Sequence, residues 1–226
     1  MSEVITIRGM SNREFLETHA RPGRVGLAGG VTLVDRVIRK AERHLDAGNA
    51  WGRWSHALIF QGLRADGRHW VVESDMQVKR RHISLGVQEN RAEKYHDEGL
   101  YPWLAVLDFH LTEEQAAGVL SGALDLVAAR TRYSLRELLG TYIALRKPAL
   151  RGKANLLDQD RSLYCSAFVQ RVFRGIGMDL APGIHEKNTA PEDISRTPVP
   201  HDTWVLLRDV KERRWGRRGG RGGGGA

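Results

Sequence analysis

Six short segments rich in Val, Ile, Trp and Phe constrain the fold of this chain most strongly, because those residues favour β-strands. Four of the six follow one another in the middle of the chain, with helical patterns before and after them. This grouping is typical of an α+β fold with a mainly antiparallel sheet packed against helices. The predicted strands are 25–28, 55–61, 69–74, 78–85, 103–110 and 203–208.

Three capping boxes mark predicted helix starts, each with a hydroxyl residue three positions before an acid or an amide. They begin at Ser11, Thr112 and Ser134, and Pro148 is expected to end the helix that the third box opens. Apolar residues at helical spacing predict two more helices. Apart from the helix after Ser11, the predicted helices are 31–45, 112–130, 134–147 and 164–174.

One globular domain is expected, because 226 residues with 41% hydrophobic content suffice for one sizeable core. The single cysteine excludes an internal disulfide and a cysteine-based zinc cluster, and it fits a reducing compartment. The N-terminal segment lacks the apolar core of a secretory signal, and no stretch reaches the roughly 18 apolar residues of a transmembrane helix. We therefore expect a cytoplasmic protein, with export by a route without a cleavable signal as the alternative.

Positive charge is concentrated at the C-terminus. The formal net charge is +8, and residues 208–226 contain seven Arg or Lys residues but only two acids. We divide the chain into a globular domain over 1–208 and a flexible Arg/Gly-rich tail over 209–226, because such a composition cannot bury apolar surface. A solvated tail is the simpler interpretation, and weak contact with nucleic acid or another anionic surface is the functional one. Nucleic-acid binding is not expected elsewhere.

Two polar side chains stand out in the hairpin WSHALIFQGLRADGRHWVVES. If the turn is centred between Arg64 and Ala65, opposed residues have numbers summing to 129, and His56 faces Glu73. Directly opposed Cβ atoms lie about 4.5–5.5 Å apart, which allows a hydrogen bond between imidazole and carboxylate. Such a bond fixes the tautomer and leaves the other ring nitrogen free to accept a proton. An ordinary cross-strand polar pair is the simpler interpretation, and a slip of one residue would separate the two.

The only cysteine, Cys165, lies where a helix is predicted to begin, in LYCSAFVQRVF. The N–H groups of a first helical turn have no partner within the helix, and the helix dipole favours negative charge there. A thiol at this position is therefore expected to ionise readily, and the same N–H groups can stabilise an oxyanion. A small buried hydrophobic residue is the simpler interpretation of a lone cysteine.

Together these segments resemble the circularly permuted branch of the NlpC-type papain-like cysteine peptidases, the YiiX-like group. The histidine and the acid precede the cysteine, as in the permuted order. The resemblance implies a permuted papain-like fold in which Cys165 is the catalytic nucleophile, His56 the base and Glu73 the residue that orients the base. The matching segments, within roughly 20–200, are RPGRVGLAGGVTLVDRVIRKAE, WSHALIF, VVES, LYCSAFVQRVF and TAPEDISRTP.

The function implied by this resemblance is cysteine-dependent hydrolysis of an amide or ester bond through a thioester intermediate. It suggests a cell-wall peptide or a lipid-linked amide as substrate. An acyltransferase of the same mechanism and a noncatalytic module that binds lipid or nucleic acid are the alternatives. Leu58 replaces a glycine that is common in the family's histidine strand, and strand 25–28 lacks an acid often found there. Both departures affect the shape of the pocket and leave the catalytic groups in place.

Four aromatic residues are weaker site candidates. Tyr164 adjoins the cysteine and is a candidate substrate-binding residue, through its phenol or its backbone, although its ring can equally serve packing. Trp51, Trp54 and Trp103 are candidates for lining an acyl or peptide groove, with core packing as the equally good interpretation.

No metal or cofactor is predicted. His69 and His82 flank the hairpin region and are the one pair considered as metal ligands, but surface histidines are the simpler interpretation. The remaining histidines form no short metal-ligand spacing, and the glycines form no nucleotide-binding motif.

Overall fold

A computed structural model describes residues 3–45, 50–79, 82–131, 148–153 and 163–209. Within these ranges the chain forms seven strands and five α-helices, joined by short 3₁₀ turns such as Ala92–His96. In chain order, the elements are β1 (Val4–Ile7), α1 (Asn12–His19), β2 (Val25–Gly29), α2 (Leu33–Glu42), β3 (His56–Leu63), β4 (His69–Lys79), β5 (His82–Arg91), β6 (Trp103–Asp108), α3 (Glu113–Ala128), α4 (Cys165–Gly175), α5 (Pro191–Ser195) and β7 (Asp202–Leu207).

The seven strands form one sheet in the order β1-β7-β6-β2-β3-β4-β5. Every neighbouring pair is antiparallel except β1 and β7, which are parallel. Helices α3 and α4 contribute to a core on one face, where Val119 and Phe168 meet strand residues such as Ile59. Helix α1 and the turn Ala92–His96 contribute to a second core with Phe60 and Val71. The predicted α+β class with a mainly antiparallel sheet is confirmed.

The helix predictions agree with the structure where it describes them. The capping boxes at Ser11 and Thr112 both form, and they open α1 and α3. A third box, between Thr32 and Asp35, opens α2 and was not predicted. The helix predicted from Ser134 falls on residues outside the described ranges.

One strand prediction was wrong, and one strand was missed. The predicted strand 78–85 crosses a chain reversal, because Lys79 at the end of β4 pairs with His82 at the start of β5. The four consecutive polar residues 79–82 interrupt the apolar alternation at this reversal, and the predicted strand ran through them. Strand β1 was missed because it is short and largely exposed, and its pairing partner β7 lies at the other end of the sequence.

The predicted register of the β3–β4 hairpin was also wrong. Ile59 pairs with Val72, and the pairing shifts at a bulge between Phe60 and Gly62. Gly62 has a φ of +86°, and a Cβ there would lie 2.9 Å from Pro22, so this bulge requires glycine. Next to the candidate site, the numbers of two paired residues therefore sum to 131 rather than to the predicted 129. A shift by two residues preserves the parity of pairing, so the predicted sharing of one face survives.

Candidate active site

The imidazole of His56 and the carboxylate of Glu73 form a hydrogen-bonded pair. His56 is the first residue of β3, and Glu73 lies in the adjacent strand β4. The distance between His56 Nε2 and Glu73 Oε2 is 2.5 Å. The Glu73 side chain is fully buried, while that of His56 keeps a small exposed fraction. The sequence predicted this contact, although the structure reaches it diagonally across the strands rather than by direct opposition.

Three further donors hold the Glu73 carboxylate. The Tyr95 hydroxyl donates to Oε2, the atom that also contacts His56. Oε1 accepts from Asn90 Nδ2 at 2.8 Å and from Lys94 Nζ at 3.0 Å. Burial by itself would raise the pKa of Glu73, but the charge of Lys94 and the hydrogen bonds from His56 and Tyr95 hold that pKa well below its usual range. Glu73 is therefore an ionised carboxylate inside the fold.

Lys94 joins two acids at this position. Its Nζ lies 2.5 Å from Asp75 Oδ2 as well as 3.0 Å from Glu73. Burial would lower the pKa of Lys94, yet the two carboxylates raise it above its ordinary value. The lysine therefore remains charged and balances the buried Glu73.

Sequence reasoning missed Asn90, Lys94 and Tyr95. Glu73 pairs with Gln88 across β4 and β5, so Asn90 stands two residues from its strand partner. The correct boundary of β5 was the signal that would have placed Asn90 there, but the predicted strand ended at 85. Lys94 and Tyr95 lie in the turn after β5, and no local pattern reveals where that turn packs.

Cys165 is the first residue of α4, and it is buried. The preceding Tyr164 has an extended backbone and makes no side-chain capping bond to the helix. The charge interaction with the Cys165 thiol is among the causes that raise the pKa of His56, which places the two side chains close together. Because His56 Nε2 is bonded to Glu73, Nδ1 is the nitrogen left to face the sulfur.

His56 thus lies between an acid and a thiol. Burial lowers the pKa of the imidazole, but the Cys165 and Glu73 interactions outweigh it and raise the pKa to about 10. The structure brings together all three residues that the sequence singled out, from β3, β4 and the start of α4. Chemically, the arrangement can form a thiolate–imidazolium pair beside a helix N-terminus.

The phenol of Tyr164 is hydrogen-bonded to a backbone carbonyl and not to the thiol. Its hydroxyl donates to the Thr189 carbonyl at 2.8 Å, and the Ser166 hydroxyl donates to the same oxygen at 2.7 Å. Both residues are buried on either side of Cys165. These two bonds attach the segment around Thr189 to the first turn of α4.

A second buried acid, Glu42, lies near the thiol and was not predicted. Its Oε1 accepts from the Glu192 backbone N–H at 3.1 Å, while Oε2 is buried without a hydrogen-bond partner among the described residues. Burial is the main cause that raises the pKa of Glu42 well above its usual range, and the charges of Glu192, Asp193 and Cys165 add to it. Burial therefore disfavours the ionised form of Glu42.

The tryptophans and histidines considered from the sequence are dispersed. Trp54 lies in the core and Trp103 packs partly against it, whereas Trp51 is exposed. His69 starts β4 and His82 starts β5, where it pairs with Lys79 at the far end of β4. The length of β4 separates them, so they form no metal pair. Among the described residues, no group of three or more His, Cys, Asp and Glu side chains is arranged to hold a metal ion.

Comparison with known proteins gives a fold and no family assignment. No protein-family description and no curated protein matches this sequence. A solved structure titled as the metalloprotein yiiX from Escherichia coli O157:H7 is similar, with a TM-score of 0.51 and 12% identity over 82% of this chain and 96% of that one. At this identity the likeness supports a YiiX-like fold alone. The donor set for a metal ion is not found in the described part of this chain.

The structure also bears on the transmembrane prediction. In the ranges that it describes, none of the helices has the length and apolar character required to cross a bilayer.

Proposed function

We propose that this protein is a cysteine hydrolase with a permuted papain-like, NlpC-type fold, in which Cys165 is the nucleophile, His56 the base and Glu73 the residue that orients the base. One observation carries the proposal: a single imidazole is hydrogen-bonded to a fully buried carboxylate and lies close enough to the only thiol of the chain for that thiol to shift its pKa. The order of the three residues in the sequence, which resembles the permuted papain-like branch, supports it.

The charge states favour the reactive form of such a site. Glu73 is held ionised, and the pKa of His56 is raised to about 10. At neutral pH the imidazole is therefore protonated, and Glu73 stabilises the imidazolium. The N–H groups at the start of α4 favour a negative charge on sulfur and on a developing oxyanion.

The reaction then follows from these positions. The Cys165 sulfur attacks the substrate carbonyl carbon, a C–S bond forms, and the carbonyl electron pair moves onto oxygen. When the oxyanion collapses, the bond to the leaving group breaks and His56 gives that group its proton, which leaves a thioester. Water, deprotonated by His56, then attacks the thioester and releases the acid and the thiol.

The substrate proposed for this site is a peptide-like or lipid-linked amide, the class that the resemblance implies. An acyltransferase has the same first step and differs only in which nucleophile resolves the thioester. The test described next separates these two outcomes.

Acyl-enzyme trapping with p-nitrophenyl acetate tests the proposal. We expect a burst of nitrophenol and a mass increase of one acetyl group on Cys165, which is the only cysteine. The acetyl group should then disappear in buffer alone. Disappearance only after an amine or an alcohol is added would identify an acyltransferase.

Two variants serve as controls. Cys165→Ser should abolish the adduct while far-UV circular dichroism stays unchanged, and Glu89→Gln should retain the adduct because Glu89 pairs with Arg64 and Gln61 instead of the site. An adduct on another residue, or none in a folded protein, would contradict the proposed function.

A further inference from the structure

Helix α2 exposes three of its apolar side chains and buries two of its charged ones, unlike an ordinary surface helix. Leu33, Val34 and Val37 are exposed to 78%, 45% and 54%. Their spacing places them on one face of the helix. Arg39 and Glu42, on the inner side, are both buried. The exposed face is therefore an apolar surface without a partner in the described structure.

Polar contacts on the inner side fix this orientation. Arg39 Nε donates to the Gly52 carbonyl at 2.9 Å, and its guanidinium stacks 4.3 Å from the ring centroid of Trp103. Glu42 accepts from the Glu192 backbone at 3.1 Å. Rotating the helix to bury its apolar face would break all of these contacts. The outward face is thus a feature that the fold maintains.

The charge around this face is positive. The acids of α2 are Asp35, which caps the helix through Thr32, and the buried Glu42. Lys40 is exposed one turn beyond Val37, and Arg36 is partly exposed on the flank of the apolar stripe. No ion pair joins either cation to an acid within the described ranges.

From this surface we infer that α2 docks onto an anionic lipid bilayer, with Leu33, Val34 and Val37 inserted at the interface and Lys40 and Arg36 beside the headgroups. An apolar stripe with flanking cations is what binds a helix in the plane of such a surface, through apolar burial together with attraction to anionic lipid. A second copy of the chain fits less well, because an isologous contact would bring the same cations together. The inference goes beyond the proposed hydrolysis and does not depend on it.

Trp51 is a further exposed apolar residue near the second half of α2. It is exposed, and the next residue, Gly52, donates its N–H to the Arg39 carbonyl at 2.9 Å, which places the segment next to the second half of α2. Tryptophan is enriched at membrane interfaces because its ring is apolar and its N–H is polar.

Vesicle sedimentation of the full chain tests the inference. We would compare phosphatidylcholine vesicles with vesicles that also contain phosphatidylserine, at physiological ionic strength so that the contribution of the Arg-rich C-terminal residues is partly screened. The wild type should bind the anionic vesicles more tightly. The variant Leu33→Ser, Val34→Ser, Val37→Ser should bind at least about fivefold more weakly. Lys40→Glu should weaken binding to the anionic vesicles only.

A matched control substitutes three exposed apolar residues elsewhere. Val4, Leu63 and Leu124 are exposed to 66%, 64% and 39%, and their combined serine variant should bind like the wild type. Cys165→Ser should also bind like the wild type, which separates this inference from the proposed catalysis. Equal binding by the α2 variant and the control would overturn the inference. The inference would also be overturned if the wild type bound neither vesicle type but formed a dimer through α2 in size-exclusion chromatography.

Discussion

Glu73 is the residue on which the candidate site depends most. A buried carboxylate is costly unless its oxygens are hydrogen-bonded, and here both oxygens are. The two donors on each oxygen leave little freedom for the side chain to rotate. The carboxylate can therefore hold the imidazole of His56 in one tautomer and one orientation, with Nδ1 toward the thiol.

Glu73→Gln is expected to lower the rate of hydrolysis by about 10²–10⁴-fold, because an amide cannot stabilise the imidazolium. The fold should be retained, since the substitution preserves the shape of the side chain. Steady-state kinetics with circular dichroism checks both points. Glu89→Gln, on the neighbouring strand, should keep the wild-type rate. An unchanged rate in the Glu73 variant would remove Glu73 from the mechanism.

Stability should depend on pH through His56. A pKa raised from 6.5 to about 10 in the folded protein means that the folded state holds a proton the unfolded state has lost. This contribution is fully present below pH 6.5 and is lost as the pH rises to about 10. Since each pKa unit corresponds to about 1.4 kcal/mol, the free energy of unfolding should fall by roughly 2 kcal/mol or more across this range.

Urea denaturation of the wild type and of His56→Gln, at several pH values between 6 and 10, measures that contribution. The variant should show a flatter dependence on pH. Parallel curves for the two proteins would mean that His56 does not carry a raised pKa in the fold.

Sequence reasoning identified Cys165, His56 and Glu73 but not the residues that surround them. His56 and Glu73 were found because period-two alternation fixes the face of a strand even when the register is wrong by two residues. Lys94, Tyr95 and Glu42 were missed because they reach the site through tertiary packing. Nothing in RAEKYHDEG or near Glu42 shows which surface each segment will cover.

Among the elements, the start of α4 matters most, because it carries Cys165. Tyr164 and Ser166 both donate to the Thr189 carbonyl, and the next residues connect to Glu42 of α2 through the Glu192 N–H. This short chain of contacts connects the nucleophile's helix to α2 across the start of α5. The two side-chain bonds to one carbonyl oxygen help to hold the first turn of α4 in place.

Tyr164→Phe separates support of this segment from direct participation in catalysis. Losing the bond to Thr189 should cost about 1 kcal/mol of stability, or more if the carbonyl is left unsatisfied. Because the phenol is bonded to Thr189, the turnover number should change less than about threefold. The loss of one hydrogen bond should disturb the site only modestly. Thermal denaturation and steady-state kinetics measure the two effects.

Ser166→Ala is the matched control, since it removes the other bond to the same oxygen and should produce a similar loss of stability. A large fall in the rate of Tyr164→Phe at unchanged stability would instead assign the phenol to the oxyanion site.

The sequence predicted the described elements well where local signals are strong. Capping boxes located α1 and α3, and glycine after the apolar run located the end of α4. It failed at the β4–β5 reversal, where the predicted strand ran through the polar residues 79–82, and at β1. Alternation and strand propensity are local signals. The position of a chain reversal inside a strand pattern depends instead on how the strands pair in the sheet.

At the scale of the whole molecule, one sheet joins the two ends of the described chain. Strand β7 lies between β1 and β6, and Leu206 is fully buried in the core beneath it. The last described strand ends at Leu207. The predicted division into a domain over 1–208 and a tail over 209–226 follows this boundary and remains a prediction.

Truncation after Asp209 tests that division. The free energy of unfolding of the shortened chain, measured in urea, should match that of the full chain within about 0.5 kcal/mol. Cys165 of the shortened chain should still be acetylated. Truncation after Pro200 is the control, because it removes β7 and should prevent folding. Loss of folding in the longer truncated chain would contradict the division.

The central claim is that Cys165, His56 and Glu73 act as one unit, and the rate of Cys165 alkylation by iodoacetamide as a function of pH tests it most directly. The chain has one cysteine, so mass spectrometry reports this residue alone. The account predicts fast alkylation that is nearly independent of pH between 6 and 8, and a marked slowing at pH 6 in His56→Gln. An ordinary thiol becomes reactive only as the pH approaches about 8.5. That ordinary behaviour in the wild type, unchanged by loss of the imidazole, would contradict the account.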